Sequence, residues 1–223
     1  MSTCVLYDGG MTSSATAKPA KKPRNRYHHG DLRRALLLEA VRTIGQQGVD
    51  GLTLREVGQR LGVSRTALYR HFSDKSSLLA AVARDGFQRF AAALRQGWEE
   101  GGPSLRGFEL MGLAYVRFAV ENRSHYRVMF GDYRRLCAVD PDLQSDAGAS
   151  FDVLLQALIT LQAAGAIRRD EPRQLALFVW SVVHGVAMLA IDGQLGQEIS
   201  AWPAMRGVVD FALERMRTGM RTL

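Results

Sequence analysis

Positions 53 to 75 are dense in hydrogen-bond donors: Thr53, Arg55, Ser64, Arg65, Thr66, Tyr69, Arg70, His71 and Lys75. Hydroxyls, guanidiniums and an ammonium of this kind hold anionic oxygens and the acceptor edges of bases. The stretch RLGVSRTALYRHF, residues 60–72, has a turn signal at Gly62-Val63-Ser64. About two turns of helix follow, with only Ala67, Leu68 and Phe72 left to bury. So short a helix with so polar a surface suits a partner rather than a core.

The charge distribution names a class of partner. The net charge is +7, with 13 basic against 6 acidic residues in 1–75 and 16 against 16 in 76–223. The whole excess therefore lies in the first third, which points to a polyanion. A solvated basic tail accounts for Lys18, Lys21, Lys22, Arg24 and Arg26, but not for the basic residues after Asp31.

The elements that must position these residues are helical almost throughout. Strand-like alternation bounded by hairpin turns is missing, so the expected class is all-α. A first helix spans about 31–47, with Leu32, Leu36 and Ala40 on one stripe and Gly48 at its end. TLRE, residues 53–56, reads as a capping box opening a helix to residue 61. Ser64 can cap the next, 64–72. A fourth starts at 73–75 and runs to about Glu99, where Gly101-Gly102-Pro103 breaks the chain. Further helices are expected at about 104–122, 124–131, 142–164, 172–192 and 201–218. Pro141, Pro172 and Pro203 sit where first-turn prolines are tolerated.

Two short helices joined by a glycine-containing turn make a helix-turn-helix, with Leu54, Val57, Leu61, Val63, Leu68 and Phe72 inside. If the second lies in a DNA major groove, its outer face meets phosphates and base edges. Residues 27–80, from YHHGDLRR through LTLREVGQRLGVS to LYRHFSDKSSLL, resemble the TetR family of bacterial transcriptional regulators. By that resemblance Arg65 and Thr66 begin the recognition helix and face base edges, and Arg55 also reaches a base. Thr53, Tyr69, His71 and Lys75 match phosphate-contacting positions, Ser64 caps the recognition helix, and Arg70 can serve either role. Ala67 is small where the groove comes close. On the residues alone, Tyr69 and His71 could pack on the first helix, and Arg65 and Lys75 could be solvated charges.

WSVVHG (180–185) and YRVMFGDY (126–133) resemble a C-terminal subtype of that family named for Trp-His-Gly. The resemblance implies a ligand pocket built from Met111, Met129, Phe130, Tyr133, Phe151, Trp180, His184 and Met188. It also implies a homodimer interface on the last two helices, with Val182, Val183, Phe211 and Met216. The same aromatic and Met stripes also suit an ordinary core.

The resulting architecture is a basic arm (1–26) expected to be disordered, a three-helix DNA-binding domain (27–75) and a helical effector-binding and dimerisation domain (76–223). The function expected is a ligand-responsive regulator of double-stranded DNA, a repressor on an inverted-repeat operator, released by a small-molecule effector. An architectural DNA-binding protein without effector is the alternative. A helical enzyme is the remote one. No P-loop, G-x-S-x-G or HExxH is present, and His125, Cys137 and Asp132 are ordered by nothing in the sequence. No cofactor is expected. His28-His29 has no third ligand at metal spacing, so no metal is expected. Cys4 and Cys137 form no framework, which suits a reducing cytoplasm. MSTCVLYDGGM does not read as a signal peptide, and Met11 could be the true start. The apolar run LALFVWSVVHGVAMLAI (175–191), with Ser181 and His184 inside it, reads as a core helix rather than a membrane span.

Overall fold

The computed structural model describes residues 29–199 and 201–220. The basic arm 1–26 and His28 lie outside the described residues. Ten α-helices and one short 3-10 turn make up the described chain, with no strand among the described residues. The N-terminal helices are α1 (His29–Gly51), α2 (Leu54–Arg60), α3 (Arg65–Tyr69) and α4 (Lys75–Gly101). Then come α5 (Leu105–Glu121), α6 (Arg123–Met129), α7 (Tyr133–Val139), α8 (Asp142–Ala163), α9 (Pro172–Ile191) and α10 (Trp202–Met220).

Local chemistry sets the ends. Gly48 interrupts α1 with φ of 77°, the left-handed backbone expected of a glycine stop. Thr53 caps α2 by accepting from the Glu56 amide at 3.2 Å. Glu56 does not reach back to complete the expected box. Its carboxylate accepts instead from Arg60 Nη2 (2.7 Å) and Gln47 Nε2 (2.8 Å). Ser64 caps α3 by accepting from the Ala67 amide at 3.2 Å. A complete capping box does form one helix later, between Asp74 and Ser77.

Two expectations about elements need correction. The recognition helix ends at Tyr69 rather than at residue 72. After Tyr69 the chain closes with His71 N–H donating to the Leu68 carbonyl (2.9 Å), a tighter turn than an α-helix. Helix α7 was not foreseen. It is seven residues long and buries only Leu136, so it carries no apolar period to detect.

α4 is the spine. It is 27 residues long, about 40 Å at 1.5 Å per residue. Its buried stripe, including Leu78, Val82, Phe87, Phe90 and Leu94, is covered by α1, α5, α6, α7 and α8 in turn. One continuous core therefore joins the helix-turn-helix to the larger helical part. α9 is long and apolar enough to cross a membrane by length and composition. Its Leu175, Val179, Val183, Ala187 and Ala190 are buried inside the protein.

Candidate DNA-binding face and ligand cavity

The helix-turn-helix is held from behind. Arg60 on α2 donates to Gln46 Oε1 (2.8 Å), Glu39 Oε1 (3.4 Å) and Glu56 Oε1 (2.7 Å), tying α2 to α1. Gly58 lets α3 come close: a Cβ there would sit 2.9 Å from Leu68 Cδ1. The turn between the helices uses Gly62 at φ 65°, a conformation that costs other residues about 1 kcal/mol or more. Leu68 and Phe72 are buried, and the Arg33 guanidinium lies 5.4 Å from the Phe72 ring centroid.

The outer face carries the expected donors. Thr53, Arg55, Ser64, Arg65, Thr66, Tyr69 and Arg70 are exposed, Tyr69 at 49% although it is aromatic. Arg55, Arg65 and Tyr69 line one shallow groove between α2 and α3. Gln59 shares it and was missed by sequence reasoning, although it lies four residues after Arg55, one helical turn on. No acidic partner within salt-bridge distance occupies Arg55, Arg65 or Arg70 among the described residues. Ala67 is half-buried and packs on the core. His71 is half-buried and engaged within the protein. Lys75 is turned back: its Nζ donates to the Asp50 carbonyl at 3.0 Å. Its charge thus supports the α1–α2 junction in the DNA-free protein.

Two ionic clusters grip α4 beyond this unit. Arg84 meets Asp140, Asp142 and Asp146 at 3.3, 3.2 and 3.0 Å. Next to it, Asp85 Oδ2 takes His125 Nε2 at 3.1 Å and Arg89 Nε at 2.8 Å. The His125 hydrogen bond, with the nearby guanidiniums, outweighs burial and holds the Asp85 carboxyl below its ordinary range. His125 therefore pairs with Asp85 rather than Asp132, which removes the enzyme-like grouping with Cys137.

Between α4, α5, α7, α8, α9 and α10 lies a cavity of about 530 Å³. Phe87, Phe90 and Leu94 come from α4, and Phe108, Met111 and Tyr115 from α5. Phe130, Tyr133, Phe151 and Trp180 close the other walls. This volume and aromatic lining suit a small-molecule site. Of the expected pocket residues, Met111, Phe130, Tyr133, Phe151 and Trp180 line it.

The other three do not. Met129 is fully buried on the far side of α6, its sulfur packed where a Cβ on Gly86 would come within 2.6 Å. His184 stands behind the wall, its ring 4.8 Å from Phe130, and Met188 is a turn beyond it, away from the cavity. The residues that hold His184 were not foreseen. Its Nδ1 lies 2.7 Å from the Tyr126 hydroxyl and 3.1 Å from that of Tyr115. The two hydroxyls are 3.0 Å apart, and Trp180 Nε1 donates to Tyr115 at 2.9 Å.

Burial pushes the His184 imidazole down from its ordinary value, which favours the neutral ring, with Nδ1 facing both hydroxyls. Burial pushes both tyrosines far up. Tyr133 is raised to about 12, by burial first and then by the adjacent Cys137. Tyr115 and Tyr126 lie on α5 and α6, so nothing in their local sequence announces that they meet.

The expected dimer positions also divide. Val183 is 4% exposed and lines the cavity, and Met216 is 4% exposed in the core. Neither is available to a partner, because the helix stripe that carries them faces inward. Val182 is half-buried and Phe211 is 62% exposed. Phe178 (52%) and Leu189 (41%) join them on the open side of α9. A Cβ on Gly185 meets nothing within 4 Å, so no other helix of the protomer packs closely there.

Residues 36–82 match the family of bacterial regulatory proteins of the tetR type, and residues 108–216 match the tetracyclin repressor-like C-terminal domain. The HTH-type transcriptional repressor Rv1474c of Mycobacterium tuberculosis is 41% identical over 181 residues, 78% of this chain and 90% of that one. The chain belongs to the TetR family. The HTH-type transcriptional activator FasR of Mycolicibacterium smegmatis is 25% identical over 210 residues, 91% of this chain and 93% of that one. A solved structure of a protein of unknown function from Rhodococcus sp. RHA1 superposes with a TM-score of 0.78 at 34% identity, covering 89% of this chain and all of that one.

As a TetR-family member the chain is a DNA-binding transcriptional regulator and not an enzyme. The Trp-His-Gly subtype expected for its C-terminal part is not confirmed, since the match there is to the tetracyclin repressor-like domain. Trp180 and His184 are instead two members of the tyrosine network described above.

Proposed function

We propose that this TetR-family chain is a dimeric repressor whose hold on an inverted-repeat operator is released by a small molecule in the α4–α9 cavity. The observation that carries this reading is α4. One helix begins at Lys75, beside the recognition unit, and supplies Phe87, Phe90 and Leu94 to the cavity wall. A ligand that favours one placement of α4 would shift the two recognition helices relative to each other. It can do so only by its difference in affinity between the two forms. We divide the chain functionally at residues 75/76, at the first turn of that helix, with residues 1–26 as a basic arm adding to the attraction for DNA.

On the DNA side, Arg65, Thr66 and Arg55 read base edges, with Ala67 approaching the groove floor. Thr53, Ser64, Tyr69, Arg70, His71 and Lys75 hold phosphates. Lys75 must leave the Asp50 carbonyl to do so. Phosphate neutralisation supplies much of the affinity and the base contacts supply the register. The dimer forms through the open faces of α9 and α10, with Phe178, Val182, Leu189 and Phe211. Exposed apolar side chains on two neighbouring helices are the signature of a covered face. Repression rather than activation follows the name of Rv1474c, at 41% identity against 25% for FasR. The site of action is the cytoplasm.

The test is selection of a random duplex pool by the purified protein at near-physiological salt, followed by sequencing. An enriched inverted repeat supports a dimeric, sequence-reading regulator. Retention without enrichment overturns it in favour of an architectural protein.

A further inference from the structure

The cavity wall restricts what can fill it. The donors on its Trp180–Tyr115 wall and at Ser150 are already committed within the protein. Trp180 Nε1 donates to Tyr115 at 2.9 Å, and Ser150 Oγ donates to the Ala147 carbonyl at 2.7 Å. The Tyr133 hydroxyl, whose proton is held by burial and by the nearby Cys137, belongs to a different wall from this group. With His184 Nδ1 accepting, the hydroxyl protons of Tyr115 and Tyr126 are shared out between each other and Nδ1 in either of two orders, and both orders use both protons. A carbonyl or carboxylate turned toward that Trp180–Tyr115 wall would find no uncommitted donor there and would lose its hydration, at a cost of about 1–3 kcal/mol or more.

The mouth is balanced in charge. Gln144, Asp152 and Arg173 are its exposed polar members, beside exposed Leu177 and Gly148. The Arg173 guanidinium lies 5.5 Å from the Phe151 ring centroid, and Asp152 is the next residue along α8. One positive and one negative charge stand at the same opening. An ionic ligand would gain from one and lose to the other. No charged side chain lies deeper in the wall.

We propose that the ligand of this cavity is electrically neutral, with an apolar body that enters first and carries no hydrogen-bond acceptor at its inner end. Any polar group it has stays at the mouth, between Arg173 and Asp152. This rests on the reading of the cavity as the effector site.

The experiment uses the full chain and three probes with one aromatic body: 2-ethylnaphthalene, 2-naphthoate and 2-naphthylmethylammonium. Binding is read by calorimetry and by quenching of tryptophan fluorescence, since Trp180 is in the wall. The Gly148→Trp variant controls location. Gly148 lines the cavity at its exposed rim, and a Cβ there meets nothing within 4 Å, so an indole can be added at the opening without displacing α8. Its circular dichroism and melting temperature show whether it is folded.

The neutral probe should bind at least about tenfold more tightly than either ion, because an ion loses hydration without net compensation. Its binding should disappear in folded Gly148→Trp. Tightest binding of the naphthoate, lost in Arg173→Gln, would overturn the inference in favour of an anionic ligand. Tightest binding of the ammonium, lost in Asp152→Asn, would overturn it in favour of a cationic one. Failure of all three probes, or undiminished binding in Gly148→Trp, would instead overturn the cavity as a site for such ligands. That outcome is distinct from a wrong charge preference.

Discussion

Removing one hydroxyl from the buried tyrosine pair should cost more at Tyr115 than at Tyr126, although Tyr126 is the more deeply buried, at 0% against 5% exposure. In Tyr126→Phe, Trp180 still donates to the Tyr115 hydroxyl at 2.9 Å, and that hydroxyl can still donate to His184 Nδ1, 3.1 Å away. Every remaining polar atom keeps a partner, so the loss is one net hydrogen bond, about 0.5–1.5 kcal/mol. In Tyr115→Phe, Tyr126 keeps His184 at 2.7 Å, but the Trp180 N–H loses its only acceptor in the network. A half-buried indole N–H left facing an aromatic wall adds an unsatisfied-donor cost, for a total of about 1.5–3 kcal/mol. The assay is urea unfolding of both variants at one protomer concentration, comparing midpoints at equal slope, since a dimer's apparent stability depends on concentration. The extra cost at Tyr115 should vanish when Trp180→Phe removes the donor. A Tyr126→Phe loss equal to or greater than that of Tyr115→Phe would refute this account of the network.

Three further outcomes are expected. Arg65→Ala should weaken operator binding by about 1–3 kcal/mol and relax base preference, while Tyr69→Ala weakens binding to operator and random duplex alike; competition titrations check both, and equal losses on both DNAs for both variants would remove the assigned roles. Phe178→Asp with Phe211→Asp should convert the proposed dimer to monomer by sedimentation without unfolding it, because both side chains are more than half exposed in the protomer, at 52% and 62%; an unchanged sedimentation coefficient would overturn the proposed interface. The His184 imidazole is depressed in the fold, so the unfolded chain takes up its proton first as pH falls; its share of stability is present above the ordinary value of 6.5 and declines as pH falls from there toward the depressed value. His184→Gln should flatten that decline in a pH series of unfolding midpoints, and an identical slope would show that another group is responsible.

Much of the DNA-binding unit was legible in sequence because its signals are local. Thr53 and Ser64 cap the helices that follow them, Gly62 makes the turn, and Leu68 and Phe72 fall on the inner face by helical spacing alone. The exposed donors follow from the same periodicity, since what is not on the buried stripe is outside. Lys75 marks the limit: its bond to the Asp50 carbonyl spans 25 residues and is invisible to any local pattern. The same limit explains how the expected dimer positions divided. Val182 and Val183 are adjacent and equally apolar, and only the packing of α9 on α5, α8 and α10 decides which one is buried.

The all-α class, the helix-turn-helix and the concentration of positive charge in residues 1–75 were thus determined by the sequence alone, because capping, turn chemistry and period act within a few residues. The cavity, and which aromatics line it, were decided by tertiary structure. Met129 and Phe130 are neighbours in the chain, yet one packs against Gly86 and the other faces the space. A void is a property of how helices cross, set by side-chain volumes on six helices at once, from α4 to α10, and no single stretch of sequence contains it.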